Sequence, residues 1–182
     1  MSLTKFALGM MGRLRPKPAR GNAAGSLRLP AAEQQGGMGL MEALSKRKSA
    51  REFSSLELPL PVLSNLLWAA FGINRTDGHR TAPTAINSQE IDVYVALPSG
   101  AYLYDAASHS LELVAGSDLR RVTGYQDFVD EAPMDLVFVA DHSRMPLVPA
   151  GRRECYASVA AGAIAQNVYL FAAGAGLATV IR

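Results

Sequence analysis

Apolar residues recur at helical spacing in three parts of the chain. Within residues 59–72 they fall at i, i+3, i+4, i+7 and i+8, and the segment begins with prolines and ends at Gly72. Proline is tolerated in the first turn of a helix, and glycine commonly follows the last turn. Residues 38–48 and 152–173 have a similar period. The pattern predicts three helices, of which the last is the longest.

Other segments have the alternating or β-branched composition of strands, namely residues 91–97, 102–105, 111–114, 134–140 and 177–181. Short turns separate the first three, which favours an antiparallel meander. Residues 134–140 are apolar apart from Asp135, so we predict a central strand there. Ser117 is placed to cap a short helix that runs to Val122. These elements predict an α+β fold, with a mixed, mostly antiparallel sheet flanked by helices.

The long helix is rich in small residues, among them Ala157, Ala160, Ala161 and Gly162. Small side chains allow a second helix to approach closely. Two arrangements stay open, a central core helix and a seam between two subunits, because both bury the same apolar face.

Composition narrows the classes of function. A net charge of +2 over 182 residues, without an aromatic-interleaved basic stripe outside the first fifty residues, argues against a nucleic-acid-binding protein. The single cysteine, Cys155, excludes an internal disulfide and a cysteine-rich metal site. We expect no membrane span, because no apolar run approaches the ~20 residues that one requires. His79, His109 and His142 lack the spacing of metal ligands and lie in predicted loops, which favours surface positions.

The first 36 residues differ from the rest of the chain. They contain basic residues interspersed with prolines and glycines: Arg13, Arg15, Lys17 and Arg20 among Pro16, Pro18 and Gly21. This composition predicts a flexible basic N-terminal arm over residues 1–36, followed by one domain over residues 37–182. A signal peptide has its charges before its apolar core, and here they come after it. We therefore expect a cytoplasmic location, with export as the alternative.

A cluster of basic and hydroxyl side chains follows the first predicted helix. Arg47, Lys48, Ser49 and Arg51 lie within five positions, and such groups donate charge-assisted hydrogen bonds to phosphate oxygens. The alternative is a solvated helix end, where the helix dipole favours cations.

Three segments, taken in order, carry a resemblance to a known family. They are the basic cluster, the loop 82–89 with its Pro-x-x-x-Asn-Ser-Gln sequence, and the Gly-Leu-x-Thr-Val sequence within 174–182, which follows a helix that bears Gln166-Asn167. Over residues 38–182 the chain resembles the nitroreductase family of FMN enzymes. The Tyr-Leu-Tyr-Asp sequence of residues 102–105 further resembles the branch that includes SagB-type dehydrogenases.

The resemblance implies roles for individual residues. Arg47 and Ser49 would hold the FMN phosphate, Lys48 would contact the ribityl chain or the phosphate, and Arg51 would lie near flavin N1 and O2. A cation at that position stabilises the negative charge of reduced flavin.

The two later segments would contact the flavin ring. Asn87 would bind its polar edge from a loop that includes Pro83, Thr84 and Ala85. A backbone N–H of the segment Val180, Ile181 and Arg182 would point at N5. Two alternatives stay open, because Asn87 could cap the turn before the strand and Ser49 could be an ordinary hydroxyl at a helix end.

The resemblance also implies an activity and an assembly. FMN would bind between the subunits of a homodimer, with the long helix at the interface. NAD(P)H would reduce FMN, and a small-molecule acceptor such as a nitroaromatic or a quinone would reoxidise it in ping-pong turnover. No protein side chain is assigned as a catalytic acid or base.

Two alternative functions stay open. The first is a SagB-like FMN dehydrogenase that oxidises a peptide heterocycle. Family members continue past the position of Arg182 with a helix, a strand and further basic residues. The second alternative is therefore a non-catalytic, truncated paralogue that binds flavin or dimerises.

Overall fold

The computed structural model describes residues 2–18 and 25–182, which contain four α-helices and seven β-strands. The helices are α1 (Leu3–Met10), α2 (Leu40–Lys46), α3 (Leu60–Phe71) and α4 (Ala150–Ala175). The strands are β1 (Lys17–Pro18), β2 (Ser26–Arg28), β3 (Ile91–Leu97), β4 (Gly100–Asp105), β5 (Ser110–Ala115), β6 (Ser117–Asp118) and β7 (Asp135–Ala140).

Five strands form the main sheet in the order β2-β5-β4-β3-β7, and β1 pairs with β6 in a separate two-stranded ribbon. Every pairing among these strands is antiparallel. The meander β3-β4-β5 is confirmed, with Val95 opposite Tyr102 and Tyr104 opposite Leu111. Alternate residues of β3 are buried because one face of the strand meets the helices.

The helices α3 and α4 cover the sheet and complete the core. Leu67 and Ala70 of α3 and Ile164 of α4 have no exposed surface. The apolar period of residues 59–72 therefore identified a helix face that packs in the core. Gly72 follows the last turn of α3, as predicted, and its N–H bonds to the carbonyl of Trp68.

The helix α4 is long and apolar enough to cross a membrane, judged by length and composition alone. Core helices of soluble proteins pass the same test, and α4 packs against α3 and the sheet. Only 33% of its most apolar stretch is buried within the described residues of this chain. Part of the helix therefore presents apolar surface outside the core.

One predicted position and two predicted elements were wrong. The strand predicted at 134–140 is present as β7, but it lies at the edge of the sheet and not at its centre. A run of apolar residues indicates that the faces of a strand are covered, and it does not indicate which strands lie on either side. Ser117 begins β6 rather than a helix, and only a short 3-10 turn follows. Residues 177–181 form no strand, because their backbone bonds go to Ala50 and Tyr169 instead of a ladder.

The N-terminal segment contains ordered elements. The strand β2 joins the main sheet beside β5, and α1 packs on the segment around Tyr125. Arg20 and Gly21, which belong to the predicted arm, lie outside the described residues. The structure thus differs from a simple arm at α1 and β2, and the division at residue 37 stays a prediction.

Candidate functional site

The basic cluster begins where α2 ends. Arg47 is the residue after the last turn of α2, and its guanidinium lies 5.2 Å from the ring centre of Tyr169 on α4. Ser49 is 2.9 Å from the Tyr169 hydroxyl. A cation over an aromatic face is favourable. The side chain of Tyr169 on α4 therefore contacts both Arg47 and Ser49.

The same tyrosine contacts the segment after α4. Its hydroxyl accepts a hydrogen bond of 2.8 Å from the N–H of Ile181. Nearby, the N–H of Ala50 donates to the carbonyl of Thr179 at 2.9 Å. The structure therefore brings together two of the three segments on which the resemblance rests. Sequence reasoning missed Tyr169, because an aromatic residue on an apolar helix predicts only core packing.

The positive charge of the cluster is not neutralised by neighbouring acids. Among the described residues, no salt bridge involves Arg47, Lys48 or Arg51, whereas Lys46 pairs with Glu42 at 2.7 Å. Lys48 and Arg51 are exposed. A group of free cations beside a hydroxyl is suited to bind an anion.

Two adjoining cavities lie beside Tyr169. The smaller, of about 330 Å³, is bounded by Lys46, Lys48 and Ala50 on one side and by α4 and residues 176–179 on the other. The larger, of about 890 Å³, has mainly apolar walls and includes Val180, Ile181 and Arg182. Arg47, Ser49 and Arg51 line neither cavity directly, although Arg47 and Ser49 contact Tyr169, which lines both.

The last residues form a polar network at the wall of the larger cavity. Arg182 donates to the carbonyl of Thr123 at 2.6 Å and to its hydroxyl at 2.5 Å. That hydroxyl lies 2.8 Å from Asp135. Burial raises the pKa of Asp135 to about 6, although the hydrogen bond from Thr123 acts in the opposite direction. In the same segment, the N–H of Ile181 donates to the Tyr169 hydroxyl.

The third segment lies apart from these cavities. Neither lining includes Pro83, Thr84, Ala85 or Asn87. Residues 85–87 form a 3-10 turn, and the side chain of Asn87 is exposed. Within one chain, residues 83–87 therefore do not line the cavities beside Tyr169.

One further residue corrects an expectation. His109 was predicted at the surface, but its ring lies between Ser64 and Tyr104, at 2.7 and 2.9 Å. Burial lowers the pKa of His109 and raises that of Tyr104. The sequence pattern around His109 could not predict this contact, because Ser64 lies 45 positions away along the chain. This network lies between α3 and the sheet and has a structural role.

Comparisons with known proteins agree with the fold. A model of the nitroreductase family matches residues 44–182. A protein of Methanocaldococcus jannaschii named a "putative nitroreductase" is 34% identical over 151 residues, which are 78% of this chain and 76% of that protein. The crystal structure of a "putative nitroreductase" from Ralstonia eutropha is 53% identical, with a TM-score of 0.89, over 93% of this chain and 81% of that chain.

A more distant structure shows the fold alone. The E. coli microcin synthetase McbBCD complex has a chain that is 18% identical, with a TM-score of 0.58, over 82% of this chain and 64% of that chain. The family model covers more than half of the chain, and the Ralstonia structure has the same α+β arrangement. The chain therefore belongs to the nitroreductase family of oxidoreductases.

Proposed function

We propose that this protein is an FMN-dependent oxidoreductase that takes electrons from NAD(P)H. The observation that carries the proposal is the group of cations at residues 47–51, which form no salt bridge among the described residues and are joined through Tyr169 to Ile181 beside a cavity. The nitroreductase family generally uses FMN with NAD(P)H. Both segments resemble those that contact FMN in that family.

The residues present fit the chemistry of FMN. Arg47, Lys48 and Arg51 supply positive charge and form no salt bridge within residues 2–18 and 25–182, and Ser49 supplies a hydroxyl for a phosphate oxygen. When bound, FMN would supply a ring nitrogen that accepts and donates hydride. Arg51 would stabilise the negative charge of the reduced ring. We assign no catalytic acid or base to the protein.

We further propose that the active form is a homodimer. The expected ring-binding residues, at 83–87, line neither of the cavities beside Tyr169 in one chain, so a complete site would take one group from each subunit. The apolar surface that α4 leaves uncovered supports this arrangement.

The acceptor would be a small molecule such as a nitroaromatic or a quinone. Oxidation of a peptide heterocycle and flavin binding without turnover are the alternatives. Adding NAD(P)H to the flavin-bound protein separates the three functions. NAD(P)H would reduce the flavin of the proposed oxidoreductase, only the peptide would reduce the flavin of a peptide dehydrogenase, and neither would reduce the flavin of a non-catalytic paralogue.

A cytoplasmic location is also part of the proposal, and cell fractionation would test it.

The first experiment compares FMN with riboflavin, which lacks the phosphate. We expect the purified protein to bind about one FMN per subunit and to bind riboflavin at least 10-fold more weakly, since charge-assisted hydrogen bonds contribute about 1.5–3 kcal/mol each. Replacing Arg47 or Ser49 with alanine should reduce this preference, whereas Arg75→Ala, on an exposed loop, should leave it unchanged. A protein that never binds FMN would overturn the proposal.

A further inference from the structure

The loop between α3 and β3 holds three non-glycine residues in the left-handed region. The φ angles are 51° at Ile86, 55° at Asn87 and 48° at Gln89. Such conformations are uncommon outside glycine and persist where surrounding contacts fix them. The contacts of the residues in this loop therefore indicate which side chain is held in a defined orientation.

Two neighbours determine the orientation of the Gln89 carboxamide. Arg80 Nε can only donate, and it lies 2.8 Å from Gln89 Oε1. The carbonyl of Gly78 can only accept, and it lies 3.1 Å from Gln89 Nε2. The oxygen of Gln89 therefore faces Arg80, and its nitrogen faces Gly78.

Arg80 is itself held in place at the end of α3. Its guanidinium lies 4.9 Å from the ring centre of Phe71 and donates to the carbonyl of the same residue at 3.0 Å. Burial lowers the pKa of Arg80, yet an arginine stays protonated at any physiological pH. Arg80 is thus a fixed donor, and the orientation that it imposes on Gln89 does not depend on pH.

The orientation of Gln89 fixes that of Asn87. Gln89 Nε2 donates to Asn87 Oδ1 at 3.2 Å, so the oxygen of Asn87 already has a donor. Asn87 Nδ2 has no hydrogen-bond partner among residues 2–18 and 25–182, and the side chain is exposed. The group that Asn87 presents to solvent is therefore its NH₂ donor.

We propose that Arg80 and Gln89 are positioning residues that make Asn87 a donor to a carbonyl oxygen of the ligand. The proposal rests on the proposed function, because the resemblance assigns Asn87 to the polar edge of the flavin ring. That edge carries two carbonyl oxygens, at C2 and C4, on either side of the N3–H. The proposal selects a carbonyl oxygen as the atom recognised and rejects the N3–H.

The substitution Gln89→Glu tests the orientation without any flavin. A glutamate still accepts from Arg80, but it cannot donate to Asn87, so the Asn87 carboxamide should turn over and donate to the new carboxylate. The experiment uses ligand-free ¹⁵N-labelled protein. The side-chain NH₂ signals of Asn87 are assigned as the pair that disappears from the spectrum of Asn87→Asp. We expect one of these proton signals to shift downfield in Gln89→Glu. Unchanged signals would overturn the proposal.

Flavin affinity tests the consequence for the ligand. Gln89→Glu and Asn87→Asp should each weaken FMN binding by about 10-fold, because both put an acceptor where a donor is required. In an Asn87→Ala background, Gln89→Glu should have little further effect, since it acts through Asn87. An undiminished effect there would show that Gln89 acts by supporting the loop, which contradicts the proposal.

The two readouts separate the failure of this proposal from failure of the proposed function. If wild-type protein does not bind FMN, the function is overturned while the NH₂ signals still decide the orientation. If wild-type protein binds FMN and Gln89→Glu binds it equally well, the proposal on Asn87 is overturned and the function is retained.

Discussion

Tyr169 contacts Arg47 through its ring, and Ser49 and Ile181 through its hydroxyl. Its oxygen accepts from the N–H of Ile181, so its own proton can be donated to Ser49. Ser49 would then keep its hydroxyl proton for a ligand anion. The guanidinium of Arg47 lies over the ring. One buried tyrosine thus sets the direction in which the cluster offers its donors.

The variant Tyr169→Phe should test this connection. It keeps the ring and the packing but removes two hydrogen bonds, which should lower stability by about 1–2 kcal/mol. We expect FMN binding to weaken several-fold because Ser49 and Ile181 lose their common partner. Urea unfolding and flavin titration measure the two effects. Tyr156→Phe on the same helix is the control, and equal behaviour of both variants would refute the role of Tyr169.

Asp135 gives a prediction for pH dependence. Its pKa is raised to about 6 in the folded protein, from 3.8 for an ordinary aspartate, so the folded protein binds this proton more tightly than the unfolded chain. The associated stability is complete at pH values below the unfolded pKa and is lost as the pH rises through about 6.

Asp135→Asn removes this titration. At pH 8 we expect the variant to be more stable than wild type by about 1–3 kcal/mol, since one pKa unit corresponds to about 1.4 kcal/mol. The difference should shrink towards zero near pH 4. Chemical denaturation at both pH values measures it, with the exposed Glu33→Gln as the control. A difference that does not change with pH would contradict the burial of a titrating carboxyl group.

The helix α1 is held against the rest of the protein by charge and by close packing. Lys5 and Lys17 both bond to Asp130, and the ring of Phe6 meets that of Tyr125 edge-on. Burial by itself would raise the pKa of Asp130, but the hydrogen bonds from both lysines outweigh it and lower the pKa to about 2. These ion pairs stabilise the fold above the ordinary aspartate pKa, and the contribution is lost as the pH falls through about 2.

The substitution Gly9→Ala tests the docking of α1. Alanine normally favours a helix over glycine by about 1 kcal/mol, but a Cβ at this position would overlap the Tyr125 ring. We expect a net loss of about 1–3 kcal/mol in urea unfolding because overpacking outweighs the helix propensity. Gly151→Ala in α4 is the control, since no atom lies near its added methyl group. If both variants gain stability, α1 is not docked on Tyr125.

The whole molecule leaves apolar surface that a single chain does not cover. Val159 on α4 is 67% exposed, and Cys155, Gly162 and Gln166 share its exposed face at helical spacing. On α2, which packs against α4, Met41 is 77% exposed. Contiguous exposed apolar residues commonly mark an interface between proteins.

The variant Val159→Arg should therefore dissociate the proposed homodimer. An unpaired charge in an apolar interface is costly, so we expect light scattering to show a shift from dimer to monomer and flavin binding to weaken with it. Val114→Arg is the control because Val114 is similarly exposed, at 58%, but lies on β5. A dimer that survives Val159→Arg would place the interface elsewhere.

Local patterns were sufficient to predict α2, α3 and α4 and the meander of β3, β4 and β5. Helical and strand periods are properties of neighbouring residues, and these segments are bounded by turn residues such as Gly72. The basic cluster and the loop 82–89 could be found for the same reason, since their chemistry lies in consecutive residues. The roles given to these residues towards FMN stay predictions.

Tertiary structure decided what depends on distant partners. The position of β7 at the sheet edge follows from hydrogen bonds to β3, and the absence of a strand at residues 177–181 follows from bonds to Ala50 and Tyr169. The orientation of Asn87 depends on Arg80 through Gln89. The sequence by itself determined which segments become helices and strands and where the reactive groups occur. Only the fold decided which of these groups meet, because contacts between distant residues leave no local pattern.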